Sequence, residues 1–437
     1  MARSRTPRAD PRTVALDLLA AILVDKRLLD EVLDSTPAYG KLEERDRGFV
    51  RMLVATVLRR LGQLDDVIKR CLDKGLPHKA RRAHDVLRLG ACQLLFLNTP
   101  PHAAIDTSVD LVKGTQLAGF AKLINAVLRR LDRDGRAWIE TQDAGRLNTP
   151  TWLWASWSAT YGDATARAIA NAHLSEAPVD ITVTGEPKDW AERLGADLLP
   201  TGSLRRRESG DLTQLPGFAE GSWWVQDMAA AIPARLMGDV NGKRVADLCA
   251  APGGKALQLA SAGAQVTAVD RSARRLVRFQ QNLDRLKLKA EIVEADVAAW
   301  APETPFDAVL LDAPCTATGT LRRHPDGLRL KGPGDVAALA DQQAALLKAA
   351  IAMLKPGGTL VYCVCSLEPQ EGIAQIERLL AAGAPVRRLP ITAAELGGLS
   401  ELITPDGDVR TLPFHLAEAG GMDAFFAARL QRLPDAP

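Results

Sequence analysis

Nine residues, DLCAAPGGK at 247–255, join an apolar run at 244–248 to a stretch of helical spacing that begins near Lys255. A glycine-rich turn that leaves a strand and opens a helix brings backbone N–H groups close to a ligand that a Cβ would exclude. A second landmark follows where the next strand should end: VTAVD, closing at Asp270. In doubly wound nucleotide-binding folds a carboxylate at that place accepts hydrogen bonds from ribose hydroxyls. The loop has neither the GxGxxG spacing of dinucleotide sites nor the GxxxxGK(S/T) of phosphate loops. It therefore suits a nucleoside ligand without phosphates, and S-adenosyl-L-methionine is such a ligand.

The rest of the chain fits a frame of that kind. At 437 residues it has room for two or three domains, each with its own core. From Asn241 onward, apolar runs at 244–248, 265–269, 290–293, 306–311, 359–363 and 385–389 alternate with helical stretches near 273–286, 337–355 and 369–382. That is the rhythm of an open parallel α/β sheet, Rossmann-like, with helices on both faces; a last strand from Ala424 is expected at an edge. From Pro11 to about Arg136, apolar residues three and four apart predict five to seven short helices, broken at STPAYG, KGLPHK and NTPPH. TQDAGRLNTP, 141–150, reads as a linker, and 151–240 as a small α/β domain with a Trp-rich helix and the run Arg205, Arg206, Arg207. The expected domains are thus an all-α unit at 1–140, a connecting domain at 151–240 and a catalytic domain at 241–437.

The net charge of +2 hides an asymmetry, because residues 1–140 carry 25 Lys+Arg against 18 Asp+Glu and the remainder 30 against 35. A basic helical end on a mildly acidic remainder suits a polyanion held at one end, although a solvated face has the same composition. No apolar stretch reaches 18 residues, and nothing hydrophobic follows the basic start MARSRTPRADPRT, so a cytoplasmic protein without a membrane partner is expected. Six cysteines, at 71, 92, 249, 315, 363 and 365, form no CxxC pair and suggest neither disulfides nor a zinc or other metal site.

In an open parallel sheet, ligands lie beyond the carboxyl ends of the strands. Those ends carry, in order, Cys249, Ala250, Ala251, Pro252, Gly253, Gly254 and Lys255; then Asp270; Asp296; Asp312 to Cys315; and Cys365. Any one has an ordinary explanation, since an Asp caps a turn and a Cys fills a core. Five in succession point to a site. The glycine loop with Asp270, Asp296 and Asp312 is assigned to the cofactor, and Asp312, Cys315 and Cys365 to catalysis. Carbon 5 of cytosine becomes a nucleophile only after something adds to carbon 6, and a thiolate both adds and leaves readily. An acid near ring nitrogen 3, a task that suits Asp312, would relieve the charge that develops. An enzyme acting on an exocyclic amine would present an Asp/Asn-Pro-Pro-Tyr-like segment, where this chain has DAPC. Residue chemistry alone leaves the two thiols unranked, because in DNA cytosine methyltransferases the proline-cysteine thiol attacks.

DLCAAPGGK, LLDAPCTATGTLRRHPD and VYCVCSLEPQEG are similar to the motifs of the Sun-type RNA cytosine-5 methyltransferases. PPHAAIDTSVDLVK and LINAVLRRL resemble the NusB-like domain fused to that enzyme in its bacterial RsmB branch. The resemblance covers nearly the full chain and is vague at 151–220. It implies methylation of a cytosine in small-subunit (16S) ribosomal RNA, flipped from its stack, with Cys365 as the carbon 6 nucleophile and Cys315 assisting release. Ribosomal RNA is the expected partner, held by the helical domain, and a monomer the expected state. The chain departs from the family at Val364, where Thr is common, at Glu371-Gly372, where Glu-Asn is common, and at His324–Arg329, which reads HPDGLR for HPDIKW. These departures concern RNA positioning and leave both cysteines in place. Lys255 is expected to orient the cofactor or Asp312, Arg322 and Arg323 to grip phosphates or merely solvate an exposed loop, Cys249 to act through its backbone, and Cys71, Cys92 and Cys363 to pack. Two competing readings are the same chemistry on transfer RNA and a non-catalytic RNA-binding factor. The intact glycine loop and Cys365 speak against the second.

Overall fold

The computed structural model describes residues 10–77, 80–206, 208 and 210–434, so the basic start at 1–9 and Arg207 lie outside the described residues. The chain forms two compact units: residues up to Glu176 together with Leu321–Lys331, and Ala177–Thr320 together with Gly332 onward.

The first unit is helical. Its longer helices, Pro11–Leu23, Glu44–Arg59, Arg81–Leu95 and Ala121–Glu140, bury Leu19, Ile22, Leu53, Val57, Leu87 and Leu128 in one core. The first begins where the Asp10 side chain accepts from the Thr13 N–H and Pro11 occupies the first turn. TQDAGRLNTP is not an extended linker: it contains the helix Ala144–Asn148, capped by Asp143. Asn148 Oδ1 accepts from the N–H groups of Gly62 and Gln63 at 2.9 and 3.2 Å, at the start of the helix Leu61–Arg70. A Cβ on Gly62 would lie 1.8 Å from the Leu147 carbonyl oxygen. The polar residues that looked like linker are thus satisfying a helix N-terminus in a packed corner. The Trp-rich helix Thr151–Tyr161 continues this unit, with Trp157 fully buried.

Leu321–Lys331 belongs to the same unit, which corrects the expectation for Arg322. Its side chain is 1% exposed, its carbonyl accepts from Arg59 Nη2 at 2.9 Å, and Asp326 accepts from the Leu29 N–H at 3.0 Å. A guanidinium enclosed in this way is not part of an exposed phosphate-gripping loop.

The second unit holds two sheets. Strands β1 (Val179–Val183), β2 (Asp197–Leu198), β3 (Leu204–Arg206) and β4 (Trp223–Val225) form an antiparallel sheet in the order β2-β3-β1-β4. Its Arg205 is fully buried, paired with Asp180 at 2.6 and 2.7 Å, and it donates to the Gly421 carbonyl at 2.6 Å. Bidentate pairing is how such a buried charge is tolerated.

The larger sheet contains β5 (Arg244–Leu248), β6 (Gln265–Asp270), β7 (Glu291–Glu294), β8 (Phe306–Asp312), β9 (Leu354–Val364), β10 (Val386–Arg388), β11 (Val409–Arg410) and β12 (Phe426–Arg432). Its order is β10-β12-β9-β8-β5-β6-β7, with β11 also on β12. The five strands from β9 to β7 run parallel, and β12 is antiparallel to both β9 and β10. The last strand is therefore interior rather than at an edge, as its buried Phe426, Ala427, Ala428 and Leu430 require. The chain winds from β5 through β6 to β7 on one side and from β8 to β9 on the other. A crevice results beyond the carboxyl ends of β5 and β8.

In the helical unit His173 packs against Trp157 at 5.4 Å between ring centroids, and neither ring nitrogen has a hydrogen-bond partner. Burial, then Arg322 and Arg59, push its pKa down from 6.5 to about 3. The folded state thus favours neutral imidazole, so the stability present above pH 6.5 is lost as pH falls, by up to about 1.4 kcal/mol per unit. His173→Phe is expected to flatten the acid limb of unfolding; an unchanged limb would contradict this.

Candidate active site

The backbone of the glycine loop is bent where the sequence allows it. Cys249 has φ 62° and Gly253 φ 108°, and the Gly253 N–H closes a turn on the Ala250 carbonyl at 2.8 Å. The helix Gly254–Ser261 then begins. A Cβ on Gly253 would lie 2.0 Å from the Phe279 ring. Glycine here is a packing requirement as well as a conformational one.

Asp270 is only 3% exposed, and its carboxylate already accepts from the Ala251 N–H at 3.1 Å and the Ser272 N–H at 2.9 Å, with Arg275 Nη1 at 3.5 Å. It shapes the loop, which leaves part of its acceptor capacity for a ligand. Asp296, after β7, is exposed and accepts from the Ala298 N–H at 3.0 Å.

Asp312 ends β8 and accepts from Lys255 Nζ at 2.7 Å, while the Cys363 thiol stands 3.5 Å from its other oxygen. Burial works against the Lys255 ammonium, but Asp312, Cys363 and Asp247 more than offset this and hold its pKa above the usual lysine value. Asp247 was passed over in the sequence, where it is one polar residue in an apolar strand. It is fully buried, both its oxygens lack a hydrogen bond of normal geometry, and burial, then Asp312, push its pKa well up. Asp270 and Asp312, at the ends of β6 and β8, present carboxyl acceptors that suit the ribose hydroxyls and the ammonium of S-adenosylmethionine.

The pairing register of β8 and β9 sets Asp312 opposite Cys363, so the segments that follow run side by side. They are joined by bonds from the Ala313 N–H to the Cys363 carbonyl and from the Gly319 N–H to the Cys365 carbonyl, each 3.0 Å, and from the Leu367 N–H to Thr318 Oγ1 at 2.9 Å. Cys315 Sγ and Cys365 Sγ come to 3.4 Å. The hydrogen bond with Cys365, then burial, then the charges of Cys365 and Glu371 push the Cys315 thiol well above its ordinary pKa. Burial, then Asp312, push the Cys249 thiol up to about 12, which leaves it inert. Cys363 is buried, as a packing residue would be, but its thiol also faces Asp312. Among the described residues no cluster of His, Cys, Asp or Glu could hold a metal ion, and no helix is long and apolar enough to cross a membrane.

Sheet order and crevice chemistry together define the class, an S-adenosylmethionine-dependent methyltransferase. Residues 234–431 match the 16S rRNA methyltransferase RsmB/F family and residues 9–133 the NusB family. The ribosomal RNA small subunit methyltransferase B of Cronobacter sakazakii is 34% identical over 417 residues, covering 90% of this chain and 93% of that protein. Its counterpart in Vibrio cholerae is 35% identical over 381 residues, covering 82% and 87%. A solved methyltransferase homologue from Pyrococcus horikoshii superposes with a TM-score of 0.53 at 26% identity, over 64% of this chain and 94% of that one. The chain belongs to the ribosomal RNA small subunit methyltransferase B family.

Gly253→Ala places a Cβ against Phe279 at a left-handed backbone position, at a cost of roughly 1–3 kcal/mol. The expected result is a lower melting temperature together with weaker S-adenosylmethionine binding by calorimetric titration. Unchanged affinity would contradict the role given to the loop.

Proposed function

We propose that this methyltransferase acts on carbon 5 of a cytosine in small-subunit ribosomal RNA, through a covalent bond between Cys365 and carbon 6, with Cys315 assisting release. The observation that carries the reading is the pair of thiols 3.4 Å apart beyond the ends of two adjacent strands, beside the Lys255–Asp312 pair. Transfer to an exocyclic amine needs no thiol. Activation of carbon 5 does.

Each residue then has a task. Cys365, as the thiolate, adds to carbon 6 while the Asp312 carboxyl, protonated as the base binds, gives its proton to ring nitrogen 3, and Lys255 Nζ at 2.7 Å pairs the carboxylate left behind. S-adenosylmethionine supplies the electrophilic methyl group. Residues 249–255 would hold it, with Asp270 at the ribose and Asp296 near the adenine. The hydrogen bond with Cys365 and burial favour the thiol form of Cys315, which keeps an S–H beside the attacking sulfur. When carbon 5 gives its proton to solvent, the C–H pair becomes the carbon 5–carbon 6 double bond, ring nitrogen 3 returns its proton to Asp312, and the pair of the breaking carbon 6–sulfur bond leaves on Cys365, where the Cys315 S–H can stabilise it. The NusB-like domain, with its basic balance, suits a grip on the RNA backbone.

Attack creates a protein-RNA adduct and elimination dissolves it, so the two single substitutions are expected to fail differently. Cys365→Ala should be inactive and give no adduct. Cys315→Ala should transfer one methyl group and remain joined to its RNA, seen as a slow band on a denaturing gel that nuclease removes. The opposite pattern would assign the attack to Cys315.

A further inference from the structure

We propose that Glu371 is a positioning residue for both thiols, a buried carboxylate that grips the residue following each of them and so sets their separation. The proposal rests on the covalent reading above. Glu371 lies in the turn after β9 and is 0% exposed. One of its oxygens accepts from the Thr316 N–H at 2.9 Å and from Gln343 Nε2 at 3.3 Å. The other accepts from the hydroxyls of Thr316 and Ser366. Thr316 directly follows Cys315, and Ser366 directly follows Cys365. The Tyr362 hydroxyl, buried beneath, donates to the Glu371 carbonyl and fixes the backbone that carries the clamp.

An enclosed carboxylate persists only when its lone pairs are met by donors. Here three of the four side-chain contacts come from the two catalytic segments, so the charge that demands satisfaction is what draws them together. Glutamine has nearly the same shape but presents an NH2 group where one oxygen stood. Two hydroxyls that now donate would have to turn and accept. The carboxylate is also among the charges that raise the Cys315 thiol, so its removal should alter that thiol's reactivity, which loss of packing alone would not do. Nothing in Glu371 touches the reacting base; its effect passes through Thr316 and Ser366.

The test uses the full-length protein and RNA carrying 5-fluorocytosine. With fluorine at carbon 5 there is no proton to lose after methyl transfer, so the carbon 6–sulfur bond persists and the adduct accumulates. The rate of adduct formation is measured for wild type, Glu371→Gln and Thr316→Val, alongside S-adenosylmethionine affinity by calorimetry and the pH dependence of Cys315 alkylation by iodoacetamide. Thiols displaced by a fraction of an ångström to about 1 Å should slow adduct formation by up to about 100-fold in Glu371→Gln and less in Thr316→Val. Cofactor affinity should stay at the wild-type value, and Cys315 alkylation in Glu371→Gln should move to lower pH. Wild-type rates in both variants would overturn the clamp while leaving the covalent reading intact. Absence of any adduct with wild type would overturn the covalent reading itself. If Glu371→Gln does not fold, the Thr316→Val rate decides, because that change keeps the backbone donor and removes one hydroxyl.

Discussion

The parallel register that sets Asp312 opposite Cys363 across β8 and β9 governs the rest of the site. From it follow the side-by-side course of the two catalytic segments, the backbone bonds between them and the 3.4 Å approach of Cys315 to Cys365. A slip of one residue would turn each side chain to the other face of the sheet and separate the thiols. The buried residues of both strands hold that register, with Val309, Leu310, Leu311, Val361 and Tyr362 all removed from water. The glycine at 319 tightens it further, since a Cβ there would lie 2.0 Å from the Ala424 carbonyl oxygen.

Electrostatics then divides the crevice. On the β5 side, Lys255 pairs with Asp312 above the buried Asp247, and Asp270 at the end of β6 holds the loop through the Ala251 N–H. On the β9 side, the two half-buried thiols meet, and the hydrogen bond between them with burial favours the protonated form of Cys315. Lys255 links the halves by pairing with Asp312 at 2.7 Å.

Much of this was legible in the chain. The apolar runs ending at Asp270 and Asp312 mark strands because both faces are buried, and the glycine loop announces the cofactor side. The position of the last strand was not legible, since local pattern does not encode sheet order. TQDAGRLNTP reads as linker by composition; its packing depends on Asn148 bonding to backbone 85 and 86 residues earlier. Arg322 reads as exposed because it is charged, and its carbonyl meets Arg59 only across 263 residues of chain. Glu371 sits at the start of a stretch that reads as helix, 369–382, and Asp247 looks like an interruption in a strand. Both are buried acids, whose significance lies in partners distant in sequence. The ranking of the two thiols comes from resemblance; their 3.4 Å approach is symmetric in geometry and does not separate attack from release.

The central claim is that Cys365 carries the covalent bond to the base. The most direct measurement is peptide mapping by mass spectrometry of the adduct that the wild-type protein forms on RNA containing 5-fluorocytosine. The account predicts a methylated nucleotide attached to the peptide bearing Cys365. A nucleotide on Cys315, or no covalent product under conditions where unmodified RNA is methylated, would contradict it.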